Sequence, residues 1–347
     1  MNTRISPVTE ESLGEAGALI RAGGLVAFPT ETVYGLGANA LDGTAVQGIF
    51  EAKGRPGDNP LIVHIASLDQ ADALIDGPMP AAARRLAEAF WPGPLTMVMR
   101  KSRAVPDEVS AGLDTVGIRL PSHPAARALI ERARVPIAAP SANRSGRPSP
   151  TTAQHVLIDM DGRIPLILDG GPCAVGLEST VLDVICDPPR VLRPGGVTAE
   201  MIAEHAHGVE LDGSILRPLK RGEVARSPGM KYRHYAPEAR MTIVQGARAA
   251  ERIAALYDEA EAAGETPCVL ALAGHRALYG DRRMYSLGED AVQAAAKLFA
   301  ALRKMDERGV TRIFAEAVDA EGLGLAVMNR MGRAAAFDLI DTDGEAK

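Results

Sequence analysis

The chain has 347 residues, of which 46% are hydrophobic, 24% charged and only 4% aromatic, and its formal net charge is −6. A chain of that length and mix suggests about two globular domains with real cores. The acidic balance and scarce rings argue against a protein whose main task is to grip extended RNA or DNA, which calls for basic surface and aromatic platforms.

From residue 8 to about 205, short apolar runs alternate with helical stretches. Strands are expected at 24–28, 61–65, 95–99, 116–120, 136–139, 165–168 and 180–185, and helices at 9–22, 43–52, 80–90, 123–134 and 152–160. Strands outnumber helices, which predicts an α/β fold with a mixed sheet. Residues 213–240 break the pattern. They hold seven basic residues (Arg217, Lys220, Arg221, Arg226, Lys231, Arg233, Arg240) against two acidic ones (Glu223, Glu238). Pro218, Pro228 and Pro237 exclude one continuous helix there. A second cycle follows: strand 241–245, helix 248–263, strand 267–272, helix 289–306, strand 312–316, helix 322–335. That order reads as a smaller, Rossmann-like parallel α/β unit. The expected organisation is an N-terminal domain over 1–212, a basic linker or lid over 213–240, and a C-terminal domain over 241–347.

The most informative stretch is Pro29-Thr30-Glu31-Thr32-Val33-Tyr34-Gly35-Leu36-Gly37, which follows an apolar run. If it stays extended, Thr30, Thr32 and Tyr34 share one face and Glu31 takes the other. The plain alternative is a threonine-rich turn closing a hairpin. Lys53-Gly54-Arg55-Pro56 ends a helix, and an extended segment there would aim Lys53 and Arg55 the same way. Asn59 follows, then His64 within an apolar strand, a place where a histidine can also be mere core. Arg119 closes the strand 116–120, where burial would demand a carboxylate or phosphate partner. Ala139-Pro140-Ser141-Ala142-Asn143 follows another strand and puts Ser141 and Asn143 on one face, unless it is only an Asx or Ser turn. Ser149 lies just before a helix start, Glu178-Ser179-Thr180 offers a hydroxyl pair, and Arg193 precedes two glycines. Cations, hydroxyls and glycines at strand ends suit an anionic nucleotide with a small zwitterion.

Absences narrow the chemistry. There is no G-x-x-x-x-G-K-[ST] loop, no complete dinucleotide fingerprint, no His/Cys/carboxylate run with metal spacing and no assignable Ser-His-Asp order. Cys173, Cys186 and Cys268 lack C-x-x-C spacing and read as reduced core thiols. The amino terminus lacks the build of a signal peptide, and no apolar run nears the ~20 residues that cross a bilayer. A cytoplasmic protein without membrane association is expected.

Taken together, PTETVYGLG (29–37), KGRPGDNPLIVH (53–64), WPGPLT (91–96), VGIRLPSHP (116–124), APSANRSGRPSPT (139–151), GLESTV (176–181), LRPGG (192–196) and SPGMKYRHYAP (227–237) closely resemble the threonylcarbamoyl-AMP synthase family. The resemblance is to its two-domain form, with a YrdC-like N-terminal twisted mixed sheet. It implies a nucleotidyltransferase that converts L-threonine, bicarbonate and ATP to threonylcarbamoyl-adenylate and pyrophosphate. The product would pass to a tRNA threonylcarbamoyl transferase, with no stable nucleic-acid binding by this chain. Lys53, Arg55, Ser141 and Asn143 match the family's Lys-x-Arg and Ser-x-Asn signature and would be catalytic. By motif position Thr32, His64, Arg119, Ala139 (through its backbone) and Ser179 would hold threonine. Arg55, Asn59, Thr115, Ser141, Ser149, Arg193 and Tyr235 would face ATP, with Lys53 beside them. Mg²⁺ would come with the triphosphate rather than on protein side chains alone. Two other readings compete: a non-catalytic RNA-binding YrdC-like module, disfavoured by charge and composition, and a carbamoyl-phosphate-using relative, whose zinc-finger-like cysteine pairs this chain lacks.

Overall fold

A computed structural model describes residues 2–217 and 235–344. They form two compact units, the first built from residues up to Ile215 except Gly146–Pro148, the second mainly from Tyr235 onward. The expected linker or lid over 213–240 lies largely outside the described residues.

The first unit carries eleven strands: β1 (Arg4–Pro7), β2 (Val26–Phe28), β3 (Gly35–Asn39), β4 (Ile62–His64), β5 (Leu95–Arg100), β6 (Thr115–Arg119), β7 (Ile137–Ala138), β8 (Leu166–Asp169), β9 (Thr180–Asp183), β10 (Arg190–Arg193) and β11 (Glu210–Leu211). They make one sheet in the order β1-β8-β2-β3-β7-β4-β6-β5-β9-β10-β11. Parallel pairs (β4 with β6, β5 with β9) alternate with antiparallel ones (β5 with β6, β4 with β7), so the sheet is mixed, as expected. Leu13, Ile20, Phe28, Ile130, Ile137 and Leu168 pack helices Glu10–Arg21 and Pro124–Ala133 against one flank of it. Both helices start on side-chain caps: Thr9 exchanges bonds with Ser12 in a capping box, and His123 accepts from the Ala125 amide before Pro124.

The second unit has a five-stranded sheet, every pair parallel: β12 (Arg240–Gln245), β13 (Pro267–Ala271), β14 (Met284–Ser286), β15 (Arg312–Glu316) and β16 (Leu339–Asp341), in the order β14-β13-β15-β12-β16. Val244, Ile253, Tyr257, Val269 and Phe314 form its own core beneath helix Ala249–Ala262. No helix among the described residues is long and apolar enough to cross a membrane.

Two local expectations change. Residues 29–34 do not continue as a strand; they bend, and the chain re-enters the sheet only at β3. Lys53 is the last residue of the helix Gly43–Lys53, and Gly54 caps it at φ 60°, a left-handed conformation that suits a residue without Cβ. Lys53 and Arg55 therefore flank a helix end rather than alternate along a strand.

Candidate functional site

The site is built where β4 and β6 end. These strands are parallel and in register, with His64 opposite Arg119. Arg119 is buried among apolar strands, and its guanidinium orientation is fixed by two bonds: Nε donates to the Gly93 carbonyl at 3.2 Å and Nη1 to Thr32 Oγ1 at 3.0 Å. The carboxylate that its burial calls for is Glu31, with Oε1 2.7 Å from Nη2. Burial is the largest single influence and pushes the Glu31 carboxyl upward, yet the Arg119 guanidinium together with backbone hydrogen bonds at Glu31 and Ser122 holds it below the usual carboxylate range. Burial, with Arg119 adding to it, pushes His64 down to about 3, so its imidazole is neutral at physiological pH.

The bend at 29–34 explains how Thr32 reaches Arg119. Thr30 Oγ1 donates to the Val33 carbonyl at 2.6 Å, accepts from the Thr32 and Val33 amides, and lies 2.8 Å from Thr32 Oγ1. This is the threonine-rich turn of the plain reading, put to use as a mount for Thr32. Tyr34 does not join the two threonines; its hydroxyl donates to the Gly171 carbonyl at 2.8 Å.

Gly93 to Thr96 link this group to the next one. Gly93 accepts from Arg119, and Thr96 Oγ1 lies 2.8 Å from Ser179 Oγ. Arg193 Nε and Nη2 both reach the Ser179 carbonyl, at 3.1 and 3.0 Å, and Nη2 also reaches Ser179 Oγ at 3.3 Å. Thr32, His64, Arg119 and Ser179 thus join one continuous, mostly buried region. The Ala139 amide donates to the Ile62 carbonyl at 2.9 Å, which ties the loop after β7 to β4.

The second cluster surrounds that loop. Lys53 Nζ donates to the carbonyls of Ser141 and Asn143 (2.6 Å for the latter) and comes within 3.4 Å of Asn143 Oδ1. Ser141 Oγ donates to Asn143 Oδ1 at 2.5 Å. All three residues therefore meet, and Lys53 also holds the loop in shape. Arg55 Nη2 donates to the Asn59 carbonyl at 2.8 Å while its guanidinium lies over the Phe50 ring. The Asn59 side-chain amide is fully buried with no hydrogen-bond partner among the described residues. Ser149 Oγ donates to Glu178 Oε1 at 2.5 Å.

Two expected nucleotide residues stand apart. Thr115 opens β6, about 13 Å along the strand from Arg119 at ~3.3 Å per residue; it lines one pocket with Thr96 and Pro60, the residue after Asn59, and borders a cleft with Arg100, Asp114 and Asp183. Tyr235 belongs to the second unit, where its buried ring lies 5.0 Å from that of Phe299 and near the Arg330 guanidinium. The residues that sequence reasoning passed over are Glu31, Glu178, Thr96 and the Gly93 carbonyl. Glu31 and Glu178 each left a trace, as the lone acid inside an otherwise uncharged motif, PTETVYGLG and GLESTV.

A family model described as "Telomere recombination" matches residues 18–195, and one described as "Threonylcarbamoyl-AMP synthase, C-terminal domain" matches residues 197–336. The threonylcarbamoyl-AMP synthases of Pyrococcus abyssi and Bacillus subtilis are each 48% identical to this chain, the first over 96% of both chains, the second over 94% of this chain and 93% of its own. A crystal structure of P. abyssi Sua5 complexed with L-threonine superposes with a TM-score of 0.91 at 46% identity, over 98% of this chain and 99% of that one.

Proposed function

The chain belongs to the threonylcarbamoyl-AMP synthase family, in its two-domain form, and we propose that it makes threonylcarbamoyl-adenylate and pyrophosphate from L-threonine, bicarbonate and ATP. The observation that carries this reading is the joining of Arg119, Thr32, His64 and Ser179 into one buried polar region at strand ends, with Lys53, Ser141 and Asn143 clustered on the loop after β7. Threonine's amine and bicarbonate condense to a carbamate with loss of water. A carbamate oxygen then attacks the α-phosphorus and pyrophosphate leaves, which makes the enzyme a nucleotidyltransferase. No step needs a covalent enzyme intermediate, so the protein's work is to position anions and balance their charge.

Arg119 would take the threonine carboxylate, with Thr32 and the neutral His64 available to its hydroxyl, and Ser179 and the Ala139 backbone completing the subsite. Lys53, Arg55 and Arg193 would offset triphosphate charge, with Asn59, Thr115, Ser141 and Ser149 lining the nucleotide and Asn143 completing the catalytic signature with Lys53, Arg55 and Ser141. Among the described residues no three His, Cys, Asp or Glu side chains come together to hold a metal. A Mg²⁺ ion would come with the triphosphate, bound mainly by phosphate oxygens and water, and would neutralise charge on the leaving group. We place the enzyme in the cytoplasm, with its product consumed by a tRNA threonylcarbamoyl transferase. The test is mass-spectrometric detection of threonylcarbamoyl-adenylate from protein, threonine, bicarbonate and ATP. A blank result together with tight tRNA retention on filters would favour the RNA-binding reading instead.

A further inference from the structure

Where β5 ends and β6 begins, the first sheet carries a cleft of about 400 Å³, within the range of small-ligand sites, roughly 300–1,000 Å³. β5 lies between β6 and β9 and forms its floor. Alternation puts Val98 and Arg100 on one face of β5, and the register sets Arg100 beside Thr115 and Val98 beside Asp183. Leu113, just before β6, and Ile185, just after β9, stand on opposite sides of that floor, roughly 10 Å apart at two strand spacings. Ile185 is 40% exposed and Leu113 half-buried, so both walls hold apolar surface that a ligand would cover.

Charge decides what kind of ligand fits. Arg100 is the cation among the lining residues, and it is already paired with Asp114 at 2.9 Å, while Asp183 adds a second carboxylate. A phosphate chain is repelled by that balance, and the cations that suit one, Lys53, Arg55 and Arg193, belong to other loops. An uncharged flat ring with an amine on its edge suits the cleft: the apolar walls take its faces, and carboxylates, which only accept, take the amine. Val98 and Thr115 also line a narrower pocket with Thr96, whose hydroxyl meets that of Ser179. The cleft and the Arg119 end of the same strands are therefore placed to hold the two ends of one adenylate. Resting on the synthase reading above, we propose that this cleft seats the nucleobase of ATP, with Leu113 and Ile185 against its faces and the Asp114 and Asp183 carboxylates on the side of its exocyclic amine. Here the enzyme selects ATP over nucleotides that carry a carbonyl in place of that amine.

Calorimetric titrations of the full chain, run without threonine so that no adenylate forms, compare ATP, ITP and tripolyphosphate. ITP carries a carbonyl where ATP has the amine, and tripolyphosphate has no base. Wild-type protein is expected to bind ATP about 10-fold or more tightly than ITP, the size of one hydrogen bond to a charged group lost with its acceptor left facing another. Ile185→Ser and Leu113→Ser are each expected to weaken ATP by about 5- to 20-fold, as the loss of one apolar wall implies, and to leave tripolyphosphate affinity unchanged. Variants that lose ATP and tripolyphosphate alike overturn the proposal, because the cleft would then serve the fold or the phosphate subsite. So do variants that bind ATP like wild type, and so does wild-type protein that binds ITP as well as ATP; in both cases ATP still binds and the synthase reading stands. Wild-type protein that binds neither ATP nor tripolyphosphate fails that reading first, and this one falls with it.

Discussion

At the scale of single residues, the site is a set of polar groups buried before any substrate arrives. The sequence made Arg119 conspicuous, since a charge closing an apolar strand needs a partner, and a carboxylate partner is there. What it could not reveal is that the partner is the residue just before Thr32 in the same motif, because a strand reading of 29–34 sends Glu31 to the opposite face. Alternation is only informative once the backbone is known to be extended, and here Thr30 folds it into a turn. His64 carries a measurable consequence. Burial first, then Arg119, lower its folded-state value from an ordinary 6.5 to about 3, so between those values the unfolded chain binds a proton that the native one does not. Stability contributed by neutral His64 is complete above about pH 6.5 and is lost as pH falls toward 3, by roughly 1.4 kcal/mol per pH unit at most. Denaturant titrations between pH 4 and 6.5 should show a shallower pH slope for His64→Asn than for wild type. Equal slopes would mean that His64 is protonated or exposed in the native protein.

At the scale of elements, long periodic segments were legible and short ones were not. Every helix of eight or more residues among the described residues was expected within a few positions. The strands at 4–7, 35–39, 190–193, 210–211, 284–286 and 339–341 were not: all but 35–39 are two to four residues long and several are edge or half-exposed, so neither alternation nor an apolar run marks them, while 35–39 hides behind two glycines. One of these hidden strands matters to the site. β10 runs antiparallel to β9 with an irregularity between Val191 and Arg193, which brings Arg193 onto the Ser179 carbonyl. The turn that follows must pass very close: a Cβ on Gly195 would lie 2.3 Å from the Thr180 nitrogen and 2.5 Å from the Glu178 carbonyl oxygen. Those atoms are backbone and cannot swing aside. Gly195→Ala is therefore expected to cost about 1–3 kcal/mol and, by pushing residues 178–180 from Arg193, to raise KM for threonine. A melting curve and a threonine titration superimposable on wild type would show that the turn has slack.

At the scale of the whole molecule, two sheets of different kind close two separate cores, one around Phe28, Ile130 and Leu168 and the other around Ile253, Val269 and Phe314. The alternation of strand and helix patterns announced both, since each cycle is long enough to bury a sheet face without the other. The resemblance in motifs went further than periodicity could, because ordered short matches spread over the first two thirds of the chain fix chemistry as well as topology. The end of the first unit can be stated from its hydrogen bonds. β11 pairs with β10 through Arg190 and Val191, the Asp212 amide donates to the Val191 carbonyl at 2.9 Å, and Ser214 Oγ bonds back to Asp212. A protein ending at Ile215 keeps all of these, whereas one ending at residue 209 strips the edge of β10. The longer piece is expected to melt in one cooperative transition, with β10 amides protected from hydrogen exchange. The shorter piece is expected to lose that protection and melt several degrees lower, as the loss of about 1–2 kcal/mol of edge pairing implies for a domain of this size. If the piece ending at Ile215 fails to fold while the full chain folds, the first core is not self-sufficient, and the two cores must form together.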